Sequence, residues 1–329
     1  MAALRAGLIG LGAMGRHHAR VLREMDGVDL VAVADPGGDP FRVAGPLEVL
    51  RDVEALIAAG IDMAVVAVPT AFHEPVAVAL AEAGVHTLVE KPIALDVPAG
   101  ERVRDAFGRA GLVGCIGHIE RFNPAIQEVR RRVAAGELGE VYQIVTRRQG
   151  PFPARIADVG VIKDLATHDI DSTAWVAGAA YDSVSAQTAF RSGRSHEDMV
   201  LATGRLADGV IVNHVVNWLS PMKERITIVT GERGALTADT SSGDVTFYAN
   251  GTVATEWESV ASFRGVSEGD VIRYAIAKRE PLRNELEAFR DAVLGEENRT
   301  VTMAEGLTTL RVAEAMLASA ADRGRTVSL

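Results

Sequence analysis

The feature that most constrains this chain is a glycine-rich turn close to its start. The segment Leu4–Gly15 reads LRAGLIGLGAMG, so a short apolar run ends in Gly10, Gly12 and Gly15 with G-x-G-x-x-G spacing. This spacing predicts a strand, a tight turn and a helix, because the three glycines permit the turn, the approach of a ligand to the backbone and close helix–strand packing. The start of that helix would offer free N–H groups and a positive dipole end to phosphates.

An acidic residue follows the glycines at the distance expected of a dinucleotide site. Asp35 lies 20 residues after Gly15, at the end of a second apolar run, LVAVAD. A carboxylate there accepts hydrogen bonds from the adenosine ribose and repels a 2′-phosphate, and no arginine follows directly. The sequence therefore predicts an NAD site that includes Ala13 and Met14 of the turn. The competing interpretation of Asp35 is a turn former before Pro36.

Length, charge and cysteine content limit the class of protein. A chain of 329 residues is long enough for two domains with their own cores. The formal net charge of −10 argues against a nucleic-acid or membrane-surface role. No apolar stretch approaches membrane-spanning length, and the apolar residues at the start are interpreted as a strand instead of a signal segment. The single cysteine, Cys115, is interpreted as a core residue, which favours a cytoplasmic setting.

Short apolar runs alternate with helical segments in the first 118 residues. The runs lack polar–apolar alternation, which is typical of parallel strands buried on both faces. They predict an α/β fold with a doubly wound Rossmann domain over residues 1–120. The predicted strands are Arg5–Gly10, Leu30–Ala34, Ala64–Val68, His86–Val89 and Val113–Gly117.

After Asn123-Pro124 the pattern changes to longer runs that alternate with a period of two. They predict an α+β domain over residues 121–329, built on a large, mostly antiparallel sheet of about six strands with one open face. An exposed apolar sheet face is a liability for a monomer, so we expect a homodimer or homotetramer through this sheet. The predicted strands are Val141–Arg148, Ser183–Phe190, Asp198–Leu206, Val210–Trp218, Arg225–Thr230 and Val245–Tyr248, and two helices follow near Leu282–Leu294 and Met303–Arg323.

Two segments in the first domain could line a cofactor or carry chemistry. Glu90-Lys91-Pro92 ends the fourth predicted strand, at the edge where doubly wound sheets bind ligands, so Lys91 is a candidate base near the nicotinamide. The alternative is an exposed lysine at a strand end. Pro69 and Thr70 form a turn after the third strand, and His73 begins a helix as a cofactor contact or simply as an N-terminal helix residue.

A third candidate segment lies in the second predicted domain. Asp164 and His168 are four residues apart, and Asp171 follows three residues later, so all three would share one face of a helix. Such an Asp–His pair can relay a proton from a hydroxyl to solvent. A metal site is the competing interpretation, which we disfavour because no second His or Cys cluster accompanies it. Acids placed by the dipole of a helix start are the simplest alternative.

These motifs, in this order, resemble the Gfo/Idh/MocA oxidoreductase family over nearly the whole chain. The resemblance implies an NAD(P)-binding N-terminal domain and a C-terminal open sheet, with the substrate pocket on one face and an oligomer interface on the other. It also implies that Lys91, Asp164 and His168 are catalytic. His168 would take the hydroxyl proton, and Asp164 would orient His168 or hydrogen-bond the sugar. Lys91 would polarise the reacting oxygen or accept the proton itself.

Two further segments resemble the nucleotide-sugar branch of that family, namely Gly117–Pro124 and Arg147–Gly160. This resemblance implies hydride transfer from a ring carbon, C3, of a nucleotide sugar such as UDP-N-acetylglucosamine to NAD⁺. The alternatives are a C3 dehydrogenase of an aminoglycoside or pseudosaccharide, an inositol-type cyclitol dehydrogenase, and an NAD-binding regulator without activity. The substrate contacts that it implies, besides the catalytic residues, are His118, Arg121, Asn123, Arg148 and Arg155.

Cations near these motifs leave the substrate charge open. Arg147, Arg148 and Arg155 suit a diphosphate, but Arg147 and Arg148 are adjacent on a strand, so only one of them can face a pocket. The resembled family often has Gly-Gly upstream of the motif aspartate, whereas here Gly160 is followed by Val161 and Lys163 stands directly before Asp164. It would serve an anionic substrate or form a salt bridge directed away from the pocket.

Overall fold

The computed structural model describes residues 2–152, 159–251, 267–297 and 299–329. The chain folds into two compact units. The first unit contains the described residues of Met1–Phe122, Pro153–Thr167 and Glu280–Glu314. The second contains those of Asn123–Phe152, His168–Arg279 and Ala315–Leu329. The first unit therefore includes segments from the later part of the chain as well as the predicted dinucleotide-binding region.

The first unit is built on a six-stranded parallel sheet, which confirms the predicted doubly wound fold. The strand order is β3-β2-β1-β4-β5-β6, so the order reverses beside β1, the position at which such sheets bind ligands. The strands are β1 Leu4–Ile9, β2 Val28–Ala34, β3 Val49–Leu50, β4 Met63–Val66, β5 His86–Glu90 and β6 Gly114–Gly117. The helices between them are α1 Gly15–Glu24, α2 Val53–Ala58, α3 His73–Glu82 and α4 Val97–Ala110.

Two helices from the end of the chain complete the core of the first unit. Helix α7, Pro281–Val293, packs Leu286 and Phe289 into the apolar cluster that contains β1. Helix α8, Met303–Ala321, adds Leu307 and Leu310 to the cluster on the α3 and α4 side. Cys115 is 1% exposed, and burial raises the pKa of its thiol well above the ordinary value, which confirms it as a core residue. No helix in the described ranges combines the length and apolar character needed to cross a membrane.

The second unit contains a nine-stranded sheet, and its mostly antiparallel character confirms the prediction. The order is β14-β13-β12-β11-β7-β10-β9-β8-β15, with only the β7–β10 pair parallel among the described strands. The strands are β7 Val141–Pro151, β8 Tyr181–Ala189, β9 Met199–Leu206, β10 Ile211–Asn217, β11 Leu219–Gly231, β12 Gly234–Asp239, β13 Asp244–Gly251, β14 Ser267–Tyr274 and β15 Val327–Ser328. The predicted number of about six strands was too low, because short or weakly patterned strands such as β12, β14 and β15 were not recognised. Helices α5, Pro124–Ala134, and α6, Thr167–Ala177, accompany this sheet.

Alternate residues of this sheet face opposite sides, as the period of two predicts. On β7, Ile144 and Arg148 are buried, whereas the intervening Arg147 is exposed. The same alternation separates buried Val200 from exposed Leu201 on β9. One face of the sheet is therefore packed in the core of the unit, and the other carries apolar side chains at the surface.

A buried polar network stabilises the packed side of this sheet. His214 on β10 is fully buried, with Nδ1 2.7 Å from Thr146 Oγ1 and Nε2 2.8 Å from the Tyr181 hydroxyl. Burial lowers the pKa of His214 to about 4 and raises that of Tyr181 well above its ordinary value. Both rings are therefore neutral in the folded protein near neutral pH.

Acid is expected to destabilise the second unit through His214. Its folded pKa lies below the unfolded value of 6.5, so the unfolded chain binds more protons in this window and stability falls as pH falls from 6.5 towards 4. The loss from this residue is about 2 kcal/mol between pH 7 and pH 5. Urea denaturation of wild type and His214→Gln at both pH values measures it. The variant should lose less stability by that amount, and His196→Gln is the control; equal losses in all three proteins would contradict the assignment.

Candidate active site

The glycine turn is closely packed at its first and third glycines and open at its second. Gly10 has φ +95°, and a Cβ there would lie 2.4 Å from Ala67 O. A Cβ on Gly15, the first residue of α1, would lie 1.9 Å from Gly10 O. A Cβ on Gly12 would meet no atom within 4 Å among the described residues. The turn therefore leaves space where a pyrophosphate approaches the backbone, as an NAD site requires.

Asp35 ties the end of β2 to the glycine turn. Its Oδ2 accepts a hydrogen bond from Leu11 N at 2.8 Å, and its Oδ1 accepts one from Gly37 N at 2.7 Å. Each carboxylate oxygen retains a lone pair for a ribose hydroxyl, because a carboxylate can accept about four hydrogen bonds. Ala13 and Met14 of the turn are partly exposed. The predicted cofactor residues of this turn thus lie together and fit NAD.

The second predicted cofactor segment is fixed by His73. Pro69 is exposed and Thr70 is buried at the start of a short 3₁₀ turn, Thr70–Phe72. The His73 ring is 1% exposed, with Nδ1 2.8 Å from Pro92 O and Nε2 3.0 Å from Val68 O. His73 therefore connects the turn after β4 with the residue that follows Lys91. A contact of its side chain with the cofactor stays a prediction.

Lys91, which is partly buried, forms an ion pair with the buried Asp164. The ammonium Nζ donates to Asp164 O at 2.5 Å and to Asp164 Oδ1 at 3.0 Å. The Lys91 side chain is 15% exposed and that of Asp164 3%. The other carboxylate oxygen, Oδ2, is buried without a hydrogen-bond partner among the described residues. The structure thus brings together two of the three predicted catalytic residues and leaves one acceptor atom of the pair available.

The segment around Asp164 differs from the predicted regular helix. Asp164 lies in one π turn, Ile162–Ala166, where Thr167 N donates to Ile162 O across five residues. His168 is the second residue of α6, and it belongs to the second compact unit. The predicted regular α-helix through Asp164 is thus replaced by a π turn, and the placement of Asp164 and His168 on one helix face stays a prediction. Such single π turns occur frequently at functional sites.

Several predicted substrate residues make hydrogen bonds within their own unit. Arg148 Nε donates to both oxygens of Asp169, at 3.0 and 3.1 Å, and both side chains are buried. Arg121 pairs with Glu305 at 2.6 Å. Asn123 caps α5 through Ala125 N and donates to Thr240 O. These three polar groups therefore have structural roles, and substrate contacts from them stay predictions.

The other predicted cations and His118 are placed as follows. Arg147 is exposed on the open face of the sheet and lies 4.0 Å from Glu224. Lys163 donates to Leu95 O and pairs with Glu314 at 3.3 Å, which makes it a salt-bridge residue. His118 is 1% exposed, after β6. Arg155 lies outside the described residues.

Sequence reasoning missed one buried ionisable residue next to the predicted catalytic motif. His18 in α1 is fully buried, and its Nε2 lies 2.8 Å from Oε1 of Glu90. The available signal was its position three residues after Gly15, which places it on the face of α1 that packs on the sheet. Burial disfavours the charged form of Glu90, but the hydrogen bond and charge of His18, with the charge of Lys91, lower its pKa overall.

Comparison with known proteins agrees with this geometry. Residues 4–119 match the family model GFO_IDH_MocA, an oxidoreductase family with an NAD-binding Rossmann fold, and residues 126–237 match the GFO/IDH/MocA C-terminal domain. UDP-N-acetylglucosamine 3-dehydrogenase of Acidithiobacillus ferrooxidans is 30% identical over 293 residues, which are 88% of each chain. Its solved structure covers 99% of this chain and 100% of its own, with a TM-score of 0.83.

Two other relatives are named for different activities or pathways. Inositol 2-dehydrogenase 2 of Saccharopolyspora erythraea is 31% identical over 97% of this chain and 93% of its own. The structure of GenD2 from gentamicin A biosynthesis, in complex with NAD, is 28% identical, covers 100% of this chain and 97% of its own, and has a TM-score of 0.82. Because both domain models match in the expected order, the chain belongs to the GFO/IDH/MocA family of NAD-dependent oxidoreductases.

Proposed function

We propose that this protein oxidises a ring hydroxyl of a sugar, with C3 of a nucleotide sugar such as UDP-N-acetylglucosamine as the first candidate. The observation that carries the proposal is the Lys91–Asp164 pair at the end of β5. This is the sheet edge where dinucleotides bind in doubly wound folds. NAD⁺ supplies the hydride acceptor when it is bound.

The geometry of the pair supports a division of roles between its members. An ammonium group has three donors, and Lys91 uses two of them on the carbonyl and carboxylate oxygens of Asp164. The third can bind the reacting hydroxyl oxygen and stabilise negative charge as the proton leaves. The buried Oδ2 of Asp164 can accept a hydrogen bond from the sugar. His168 remains our proposal for the residue that takes the proton.

Two observations support two different substrate classes. The 30% identity with UDP-N-acetylglucosamine 3-dehydrogenase over 88% of each chain supports a nucleotide sugar, and the 31% identity with inositol 2-dehydrogenase 2 over 97% of this chain is the reason to include an inositol in the test below. In contrast, Arg121, Arg148 and Lys163 are all paired with carboxylates, and the chain carries a net charge of −10. Neutralised cations in an acidic protein favour a cationic sugar, so an amino sugar of the aminoglycoside type is the second candidate.

A substrate panel separates these candidates. The purified protein is mixed with NAD⁺ and with UDP-N-acetylglucosamine, paromamine or scyllo-inositol, and the absorbance of NADH is followed. Preferential oxidation of UDP-N-acetylglucosamine supports the nucleotide-sugar assignment, and preferential oxidation of paromamine supports the amino-sugar alternative. Preferential oxidation of scyllo-inositol would contradict both and indicate a cyclitol dehydrogenase. Asp164→Asn is the matched variant, because it keeps the size of the side chain and removes its charge. NADH binding without oxidation of any panel member would contradict both candidates and favour an NAD-binding regulator.

We further propose that the open face of the nine-stranded sheet associates with a second copy of the chain. Leu201 and Val215 are neighbours on this face, and Val145 and Ile228 are another pair. Leu201 is 47% exposed. An apolar face of this kind is stable when it is covered.

Charge on the open face is expected to dissociate the oligomer. We expect a dimer or tetramer for the wild type and a monomer for Leu201→Glu/Val215→Glu, because two buried carboxylates at an apolar interface would be desolvated without partners. Light scattering after gel filtration measures both. Leu294→Glu, an exposed apolar position outside the sheet, is the control. A monomeric wild type at micromolar concentration would contradict the proposal.

A further inference from the structure

The His18–Glu90 pair lies next to Lys91, the residue that binds the reacting hydroxyl in the proposed function. Both members are buried, His18 at 0% and Glu90 at 8% exposure. Their bond, 2.8 Å between Nε2 and Oε1, joins the first turns of α1 to the last residue of β5. It therefore links the helix that begins at the glycine turn to the strand that presents Lys91.

Glu90 passes this constraint on to the backbone of Lys91. Its second oxygen, Oε2, accepts a hydrogen bond from the Lys91 N–H at 3.2 Å. Strand β6 lies close to this carboxylate, since a Cβ added to Gly117 would be 3.3 Å from the same Oε2. On the far side of Lys91, Pro92 O lies 2.8 Å from the ring of His73. The backbone of Lys91 is thus held on both sides, while its ammonium group extends towards Asp164.

The presence of a histidine at position 18 indicates that this side chain has a polar role in addition to packing. Nδ1 of His18 is buried without a hydrogen-bond partner in the described part of the chain, so the ring makes a single polar contact, through Nε2. A buried polar atom without a partner costs free energy that an apolar side chain of similar size would avoid. The neighbouring core of α1 is apolar, with Ala19, Val21 and Leu22 buried. Packing alone would therefore favour an apolar residue, and the hydrogen bond to Glu90 accounts for the histidine.

We propose that His18 is a positioning residue for Lys91, acting through its Nε2 bond to Glu90. This inference rests on the proposed role of Lys91 in the reaction. Without the donor at the Nε2 position, the Glu90 carboxylate rearranges, the Lys91 backbone loses its acceptor, and the ammonium group no longer has a fixed place beside Asp164. Misplacement of a catalytic group by about 1 Å costs about 10²-fold in turnover.

Two amide variants test whether a donor at the Nε2 position of His18 is required. In His18→Gln the amide nitrogen reaches the place of Nε2 and can still donate to Glu90. In His18→Asn the shorter side chain places its amide near Nδ1, where the described residues offer no partner. The matched control is His17→Asn, the neighbouring exposed position on the same helix. Thermal melting of all variants, with and without NADH, identifies any that fail to fold.

A labelling experiment reads the position of Lys91 without any substrate. The chain has four lysines, Lys91, Lys163, Lys223 and Lys278, so limited acetylation followed by mass spectrometry reports each one separately. Lys163 is the internal reference, because its side chain is also paired with an acid and also 15% exposed. We expect several-fold faster acetylation of Lys91 in His18→Asn, with Lys163 unchanged, and wild-type rates in His18→Gln and His17→Asn.

Turnover completes the test with the best substrate of the panel. We expect kcat to fall by about 10²-fold in His18→Asn and to recover in His18→Gln, with KM for the sugar little changed. Unchanged Lys91 labelling in a folded His18→Asn protein would overturn the positioning role, whatever the activity. If labelling changes as expected but Lys91→Ala retains full turnover, the proposed role of Lys91 is wrong while the structural link to His18 stands.

Discussion

Lys91→Ala is expected to lower kcat by about 10³-fold, within the range that a positioned proton-transfer or polarising group contributes. The reason is that, among the described residues, Lys91 is the lysine whose ammonium group donates hydrogen bonds to Asp164. In the proposed mechanism its remaining N–H donates to the reacting oxygen. NADH binding should change little, because the predicted phosphate and ribose contacts lie in the glycine turn and at Asp35. Turnover with the best panel substrate and fluorescence titration with NADH measure the two effects separately.

A second variant separates charge from packing at this position. Lys91→Gln can still donate a hydrogen bond to Asp164 but carries no charge, so its kcat should stay close to that of Lys91→Ala if the ammonium is required. Lys163→Ala is the control, a lysine of equal exposure that is paired with Glu314. Near wild-type turnover of Lys91→Ala with normal NADH binding would remove Lys91 from the mechanism.

The sequence predicted the strands with strong apolar or alternating runs and missed four others. Three of these, β3, β14 and β15, lie at sheet edges, and the fourth, β12, lies inside the second sheet. All five predicted parallel strands of the first unit are present, since uninterrupted apolar runs have few alternatives to two-sided burial. In the second unit β14, with the sequence SEGDVIRY, and the two-residue β15 are edge strands that carry little apolar pattern. An edge strand is defined by its hydrogen-bonded neighbour, which local composition does not encode.

The candidate site shows the same limit at the level of single residues. Motif residues such as Gly10 and Lys91 could be predicted, because the chemistry requires those residue types next to a particular strand end. The pairing of Arg121 with Glu305 spans 184 positions, and no local pattern indicates it. Likewise, the hydrogen bond of Asn123 to Thr240 O and the ion pair of Lys163 with Glu314 join residues that are distant in the sequence and are evident only in the folded chain. Residue type and spacing thus predict which groups are available, and tertiary packing decides which of them are already paired.

Gly15→Ala is expected to destabilise the first unit by about 3 kcal/mol or more, the upper end of the cost of overpacking. The new Cβ would lie 1.9 Å from Gly10 O and 2.9 Å from Gly10 C, which are backbone atoms that no rotamer change can move away. Relief requires α1 to separate from β1, and the apolar contacts of Ala19 and Leu22 would loosen with it. Urea denaturation without added cofactor measures this loss directly.

Gly12→Ala is the matched variant that separates packing from cofactor binding. Gly12 is not in the left-handed region, and its added Cβ would meet no described atom within 4 Å, so the free energy of unfolding should stay within about 1 kcal/mol of wild type. NADH affinity should nevertheless fall by about 10-fold or more, because the methyl group occupies the space through which the pyrophosphate approaches the backbone. Equal destabilisation of both variants, or unchanged NADH affinity in Gly12→Ala, would contradict this division of roles between the glycines.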